Sequence, residues 1–408
     1  MMSHIDKIDL SRFTLKQLLE LEACTRCGEC LKWCPTYTEA GREEITPLSK
    51  ITSFRNFIKG QYGGWLARLF GIRPPTEGDA AAFGEGTFQC TLCARCRIVC
   101  PIQIETRALW IGMREQLVDW GKYPAQFNLL REAVTTHYNI SGQENAGRLA
   151  WSENLENPPA GFIGKKGAET VYFVGCVSAF YPMVYGIPQS LAQILLSAGE
   201  DFTTLGEEEW CCGFPLIIAG MGRWAKELVE HNVRSVREIG ARRLVTTCPS
   251  CYHTWKHDYP EILGEDLGFQ VLHATELLEE LVEAGRLKFK ESPQVVTYHD
   301  PCDLGRNSGL YEPPRSILQA IPGLELVEME ENREHALCCG GGGDVEMRDP
   351  ELTAAVARRR LRQAHATRAE AIVSTCQQCK RTLASAARRE KIRLRVHDIT
   401  EVVWGAMA

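Results

Sequence analysis

The eighteen cysteines of this 408-residue chain are the side chains most able to do chemistry, and their spacing says which chemistry. "CCGFP" at 211–215 and "CCGGGG" at 338–343 each set two thiols side by side ahead of a glycine. Neighbouring side chains of an extended chain point to opposite sides, so adjacent cysteines suit an ordinary disulfide poorly. "CTRCGECLKWCP" from position 24 and "CTLCARCRIVCP" from position 90 both read C-x2-C-x2-C-x3-C-P. The opening "MMSHIDKIDLSRF" lacks a basic segment followed by an apolar one, so no export signal is read there. The expected compartment is the cytoplasm, where thiols stay reduced. Cysteines at this density then point to metal binding or redox work.

The two proline-ended runs have the spacing that wraps a [4Fe-4S] cube in bacterial ferredoxins. Three cysteines of a run reach one cube from a tight loop, and the fourth is carried on to the neighbouring cube. The expected ligand sets are therefore Cys24, Cys27, Cys30 and Cys100 for one cube, and Cys90, Cys93, Cys96 and Cys34 for the other. Structural zinc would present two separated C-x2-C pairs instead. Two such cubes side by side pass single electrons and need no substrate pocket.

The remaining ten cysteines form a motif that occurs twice: Cys176, Cys211, Cys212, Cys248 and Cys251, then Cys302, Cys338, Cys339, Cys376 and Cys379. The offsets between the copies are nearly constant, 126 for Cys176 to Cys302, 127 for Cys211 to Cys338, and 128 for Cys248 to Cys376. Thr275-Glu276 and Thr400-Glu401 repeat at 125. This pattern reads as an internal duplication. Gly213 and Gly340 permit the backbone turn that aims both members of each pair at one object. Five thiolates per copy exceed the four that a cube takes, which points to a larger or irregular iron–sulfur assembly.

The elements that must hold these groups follow from periodicity. Residues 1–165 carry helical patterns such as "DLSRFTLKQLLELEA" and "IETRALWIGMREQLVDW" and read as a helical double-cluster domain. "KGQYGGWLARLFGIRPPTEGDAAAFGEG" is expected as loop with one short apolar turn, and 139–168 as a linker. From about 169, short apolar runs alternate with helical stretches, the pattern of βα units on a parallel sheet. "AETVYFVGC", "DFTTL", "RRLVTTC", "PQVVTYHDPC", "LELVEME" and "AEAIVSTC" read as strands. The fold class is thus α+β/α/β: a helical ferredoxin-like domain, then two Rossmann-like α/β domains at 166–288 and 289–408. Cys176, Cys248, Cys302 and Cys376 fall just past strand C-terminal ends, which line the ligand crevice of open α/β sheets.

The order of these motifs, with "YHDPCDLGR", "CCGGGG" and "STCQQC", resembles the heterodisulfide reductase catalytic subunit, a ferredoxin-like part followed by two cysteine-rich CCG domains. The resemblance spans Cys24 to Cys379. It implies an oxidoreductase subunit with two [4Fe-4S] cubanes and a noncubane [4Fe-4S] cluster in each CCG half, and a small thiol or disulfide substrate cleaved between the halves. The partners it implies are other redox subunits, a flavoprotein or a membrane cytochrome b-type chain, on which the protein would dock peripherally at the inner membrane face. The same architecture also serves non-catalytic electron transfer between a flavoprotein dehydrogenase and membrane quinone, and the sequence leaves both readings open.

Weaker signals surround the ligands. His253, His299 and His335 sit beside them and are read as hydrogen-bonding neighbours that tune potential, or as proton donors to nascent thiolates. Arg306 is read as balancing cluster charge, binding a substrate carboxylate, or simply solvated. "CCGGGG" lacks the Lys-Ser/Thr of a phosphate loop, so no flavin or nicotinamide is expected. "GGWLARLFGI" at 63–72 is expected as a local core turn, docking on a membrane subunit being the alternative. With 44% apolar and 24% charged residues, a net charge of -6 and no long run of one sign, a nucleic-acid surface is not indicated.

Overall fold

The structure, a computed structural model, describes residues 5–407 apart from 154, 156, 157 and 159–161. The first four residues of the opening and those six of the expected linker thus lie outside the described residues. By its internal contacts the chain forms two units. One gathers Met1–Leu129, Pro215–Arg223 and Gly340–Val356, and the other Leu130–Phe214, Trp224–Cys339 and Ala357–Ala408.

The first unit is built on helices. Leu15–Ala23 starts at Thr14, whose hydroxyl accepts from the Gln17 N–H at 3.2 Å while the Gln17 side chain accepts from the Thr14 N–H at 2.8 Å. These reciprocal bonds satisfy two donors that every helix start leaves open. Pro47–Tyr62 and Thr106–Asp119 follow, and Phe54, Leu109, Trp110, Met113 and Leu117 fill the space between helices.

The stretch expected as loop corrects the sequence reading. Glu77–Thr87 is a helix, capped by Thr76 and Asp79, despite three glycines that lower helix propensity. Two of those glycines are there for close approach: a methyl on Gly86 would lie 2.1 Å from the Glu44 carbonyl oxygen, and one on Gly84 2.7 Å from that of Lys122. The expected core turn is also corrected. Gly64–Leu69 is a short helix whose Trp65, Leu66, Leu69 and the following Phe70 stand exposed, with Ala67 alone buried among them. Among the described residues, no helix is long and apolar enough to cross a membrane.

The second unit contains two four-stranded parallel sheets. The first comprises β1 Thr170–Phe173, β2 Phe202–Thr204, β3 Arg243–Thr246 and β4 Gln270–His273 in the order β2-β1-β3-β4. The second, β5 Gln294–Tyr298, β6 Leu324–Leu326, β7 Ala371–Ser374 and β8 Arg395–Asp398, has the same order, β6-β5-β7-β8. Val171, Tyr172 and Phe173 of β1 and Ile372 and Val373 of β7 are fully buried, as strands covered on both faces require. β4 and β8 are not among the strands read from sequence: each runs straight into its helix cap and offers a short apolar signal, Val271 and Leu272 in one and Val396 alone in the other.

Those two edge strands end on corresponding helix caps. His273 and Asp398 each accept from the backbone two residues on, and Glu276 and Glu401 bond back to them. Both caps are buried. Burial pushes the Asp398 carboxyl up to about 7 and pulls the His273 imidazole down to about 3. A carboxyl whose folded pKa exceeds its unfolded one contributes stability that is full below the unfolded pKa and lost as pH rises through the folded one. Asp398→Asn keeps the capping oxygen and removes this titration. Its stability, measured as a circular-dichroism melting midpoint, should therefore be flatter than the native chain's between pH 5 and 7, where one shifted proton changes stability by at most about 1.4 kcal/mol per pH unit. At pH 8 the variant should melt higher.

Candidate iron–sulfur centres

Both proline-ended runs use left-handed backbone at the same two places. Arg26 and Gly28 have φ of 59° and 78°, and Leu92 and Ala94 have φ of 53° and 58°. Three of these residues carry a Cβ, so each stores strain of about 1 kcal/mol or more. Such strain persists where a bound group over-determines the loop. The bends gather the thiols across the two runs. Burial first, then the neighbouring Cys24, push Cys30 up to about 12, with Cys27 and Cys100 also close enough to add to it. Burial and then Cys90 raise Cys96, with Cys93 and Cys34 adjacent as well. Cys30 thus stands among Cys24, Cys27 and Cys100, and Cys96 among Cys90, Cys93 and Cys34.

The two groups differ in setting. Cys27 is exposed, and Cys24, Cys30 and Cys100 are half-buried, whereas Cys34, Cys93 and Cys96 are buried and Cys90 half-buried. Two buried cations attend the second group. Lys50 donates to the Ile45 carbonyl and its charge favours the Cys34 thiolate, against the burial that raises it. Arg114 donates to the carbonyls of Cys90 at 2.7 Å, Thr87 at 3.3 Å, Ile218 at 2.7 Å and Gly343 at 3.1 Å. Neither cation was singled out by sequence reasoning. The signal that could have found them is a charged residue on an otherwise apolar helix face, as Arg114 is beside Met113 and Leu117.

In the second unit each five-cysteine set meets at the C-terminal ends of its sheet. Cys176 follows β1, Cys211 and Cys212 follow β2, and Cys248 follows β3. In the order β2-β1-β3-β4 the chain leaves β1 toward one neighbour and returns beyond it to the other, so a crevice opens between the ends of β1 and β3. Cys302, Cys338, Cys339 and Cys376 repeat the placement after β5, β6 and β7. The sulfurs touch: Cys251 Sγ donates to Cys212 Sγ at 3.4 Å, and Cys379 Sγ to Cys339 Sγ at 3.1 Å. Bonds from the Cys211 and Cys251 thiols pull Cys212 down to about 6, while its bond with Cys211, and then burial, raise Cys176. Nine of these ten cysteines are buried and Cys302 is half-buried. So many thiols in contact, with no disulfide between them, are the donor set a thiolate-ligated metal cluster needs.

The surrounding side chains fix the loops. Glu209 accepts from the Val174 and Gly175 N–H groups, both at 2.8 Å, and from Arg148 at 2.7 Å, tying the turn before Cys176 to the one before Cys211. Arg148 also donates to Cys176 Sγ at 3.5 Å. It comes from the stretch expected as linker, where Asn145–Ser152 forms a 3-10 helix with Arg148 and Trp151 buried. The loops of the two halves meet. Ser250 donates to Asp303 at 2.7 Å, His253 Nδ1 lies 3.1 Å from Ser308 Oγ, and Gln377 donates to Thr247 Oγ1 at 2.7 Å and to the Val174 carbonyl at 3.0 Å. Of the weaker candidates, His253 and His299 are buried, and His335 is about half exposed beside Glu334. Arg306 is buried at 4% exposure and donates to the Glu334 and Ala336 carbonyls, which excludes the solvated reading.

Gly213 and Gly340 sit at φ of 86° and 89°, where only glycine is at ease. A methyl on Gly340 would lie 2.6 Å from the Thr353 carbonyl oxygen, and one on Gly213 3.0 Å from the Ala225 Cβ. Gly340→Ala should therefore be the worse substitution, adding an overpacking cost of about 1–3 kcal/mol to the left-handed strain of about 1–2 kcal/mol. Iron per chain and the melting midpoint should both fall further in Gly340→Ala than in Gly213→Ala.

With this geometry in place, comparison with known proteins is direct. A 4Fe-4S dicluster domain matches residues 20–104, and the CCG cysteine-rich domain matches twice, at 170–256 and 296–384. One subunit of the dihydromethanophenazine:CoB–CoM heterodisulfide reductase of Methanosarcina acetivorans is 38% identical over 98% of this chain and 97% of its own length. EtfAB:quinone oxidoreductase of Syntrophomonas wolfei is 30% identical over 98% of this chain and 60% of its own. Among solved structures, a hypothetical protein from Helicobacter pylori has a similar fold, with a TM-score of 0.56 at 11% identity over 98% of this chain and 74% of that one. Two strained thiol loops matched as a dicluster domain, two thiol crevices matched as CCG domains, and end-to-end similarity to the Methanosarcina protein together place this chain in the heterodisulfide reductase family of iron–sulfur oxidoreductase subunits.

Proposed function

We propose that this chain is the thiol/disulfide-handling subunit of a redox complex. In this reading Cys24, Cys27, Cys30 and Cys100 hold one [4Fe-4S] cubane, and Cys90, Cys93, Cys96 and Cys34 the other. Cys176, Cys211, Cys212, Cys248 and Cys251 hold one noncubane cluster, and Cys302, Cys338, Cys339, Cys376 and Cys379 a second, on duplicated Rossmann-like halves. Such clusters supply electrons singly, and two of them supply the pair that a disulfide takes up: RS–SR′ with two electrons and two protons gives RSH and R′SH. The observation that supports the reading is the meeting of loops that bear the two complete thiol sets, through Ser250–Asp303 and His253–Ser308, so that two one-electron sites could act on one bound disulfide.

This chain's own residues hold and aim those sites. Glu209 and Arg148 fix the Cys176 turn against the Cys211 turn. Gln377 reaches from one half into the other and locks the turn ahead of Cys176. In this reading the half-buried Cys302 would be the approach for a small thiol, and His253, bonded to Ser308, would supply a proton to a released thiolate. The partners are further redox subunits, a flavoprotein or a membrane cytochrome b-type chain, with the protein cytoplasmic and peripheral on the membrane through that partner. The 30% identity to EtfAB:quinone oxidoreductase favours a second reading, in which the chain relays electrons between a flavoprotein and membrane quinone without cleaving a disulfide.

Four measurements bear on these readings: the first two test the clusters and their ligands, and the last two decide between disulfide chemistry and relay. Anaerobically purified chain should hold about sixteen irons with negligible zinc if it carries four four-iron clusters. Cys34→Ser should remove the EPR signal of the cluster anchored by Cys90, Cys93 and Cys96 and spare the one nearer in sequence, because the fourth ligand crosses over. Oxidised native chain titrated with small thiols should develop a new EPR signal, and a reduced viologen should be reoxidised on adding the right disulfide. With full iron content, the absence of both the thiol signal and disulfide turnover would select the relay.

A further inference from the structure

The two five-cysteine sites share strand order and ligand spacing, yet they are not built alike. Three residues ahead of the lone cysteine, the first half has Phe173 and the second has His299. Phe173 is fully buried and packs edge-on against Trp255 at 5.4 Å. His299 is 1% exposed, and a nitrogen of its ring falls in one cluster with the sulfurs of Cys339 and Cys379, all within 4.8 Å of one another.

The protonation of that ring follows from its partner. Arg360 Nε donates to His299 Nδ1 at 3.0 Å. A guanidinium has no lone pair to accept with, so Nδ1 must be the acceptor and the proton of the neutral ring sits on Nε2. Nε2 is buried and, among the described residues, meets no hydrogen-bond acceptor. A buried N–H with no acceptor costs about 1–3 kcal/mol, and such groups call for an explanation. Iron ligation by Nε2 would require its proton to leave for Nδ1, against the N–H that Arg360 already directs there. The group that suits Nε2–H is therefore an acceptor, and sulfurs of that kind, those of Cys339 and Cys379, lie within 4.8 Å of a nitrogen of this same ring.

We infer that His299 is a positioning residue that donates Nε2–H to sulfur of the cluster in the second five-cysteine set, and that this bond, absent from the first set, gives the second cluster the higher reduction potential of the pair. Hydrogen bonds to cluster sulfurs stabilise the more negative, reduced state. Arg148 donates to Cys176 in the first set, but its charge is paired with Glu209 in the same contact, so the first set gains less from it. Electrons arriving one at a time then settle first on the second site, beside the half-exposed Cys302. The inference rests on reading both thiol sets as cluster sites.

The test uses the full, cluster-loaded chain under anaerobic conditions. EPR-monitored redox titration should show the second CCG cluster moved to more negative potential in His299→Phe, the side chain of the first half, with the first CCG cluster and both cubanes unmoved at unchanged iron content. Native chain grown with 15N-histidine should show a weak nitrogen hyperfine coupling on the second cluster, as a hydrogen-bonded but unligated imidazole gives. An unchanged potential in His299→Phe with full iron overturns the inference, and so does either a strong coupling diagnostic of a nitrogen–iron bond or no coupling at all. Should His299→Phe fail to retain the cluster, the coupling in the native chain decides alone. Native chain lacking iron in both five-cysteine sets would overturn the cluster reading itself, whereas full iron with no shift overturns the role of His299 only.

Discussion

Positive charge buried beside cysteine sulfur is the condition on which this structure turns. Lys50, Arg114 and Arg148 are each at 1% exposure or less. Arg114 donates from its two terminal nitrogens to four backbone carbonyls, while its Nε meets no acceptor among the described residues; these dipoles leave its charge to be balanced by Asp344 and by groups beyond it. A thiol at the same depth does not supply that balance alone, because burial holds it protonated. A metal ion does, since coordinating thiols are deprotonated outright. Buried cations and cluster charge therefore favour each other at Lys50 and Arg114, with Asp344 sharing the balance at Arg114, whereas Arg148 is already paired with Glu209. An unpaired buried charge would cost several kcal/mol, so the fold around these sites and the metal in them belong to one equilibrium.

The sheets convert this local need into a place. A parallel sheet in the order β2-β1-β3-β4 brings three strand ends to one crevice, and cysteines at those three ends converge although 72 residues of sequence separate Cys176 from Cys248. The short strands serve the same end. β2 and β6 are three residues long, enough to set register while leaving the following loop free to carry an adjacent pair. Glycine at φ near 90° after each pair then turns that loop back, so the sheet fixes position and the glycine fixes direction.

Much of this was legible in sequence because cysteine spacing is geometric information. A C-x2-C loop has few conformations, and the constant offsets between the two halves revealed the second set from the first. Strands at 170–173, 243–246 and 371–374 were legible because each is a run of apolar residues next to a ligand. What escaped reading was long-range. Glycine at 84 and 86 looks like loop until the Glu44 and Lys122 carbonyls that demand it are known. Arg148 looks like linker until Glu209, 61 residues on, is seen to bond it. The exposed Trp65 and Phe70 failed in the opposite sense, since an apolar run says that burial is favourable and not that a partner surface is present.

The two five-cysteine sets belong to halves whose mutual contacts are of a kind that holds. Gln377 is 1% exposed and spends its amide on Thr247 and on the Val174 carbonyl of the other half. Breaking these without replacement would strand buried polar groups, at about 1–3 kcal/mol each. Thr400 Oγ1 bonds the Ile187 carbonyl at 3.3 Å, so the helix after β8 is tied to the helix after β1, and side chains from both sheets, Tyr172 and Val245 with Tyr298 and Val373, belong to one continuous apolar core. A hinge between the halves would have to open that core and those bonds together. The two thiol sets are thus joined through a shared core and shared hydrogen bonds, and their differences, Phe173 against His299 and Arg148–Glu209 against Arg360, are built into that common frame.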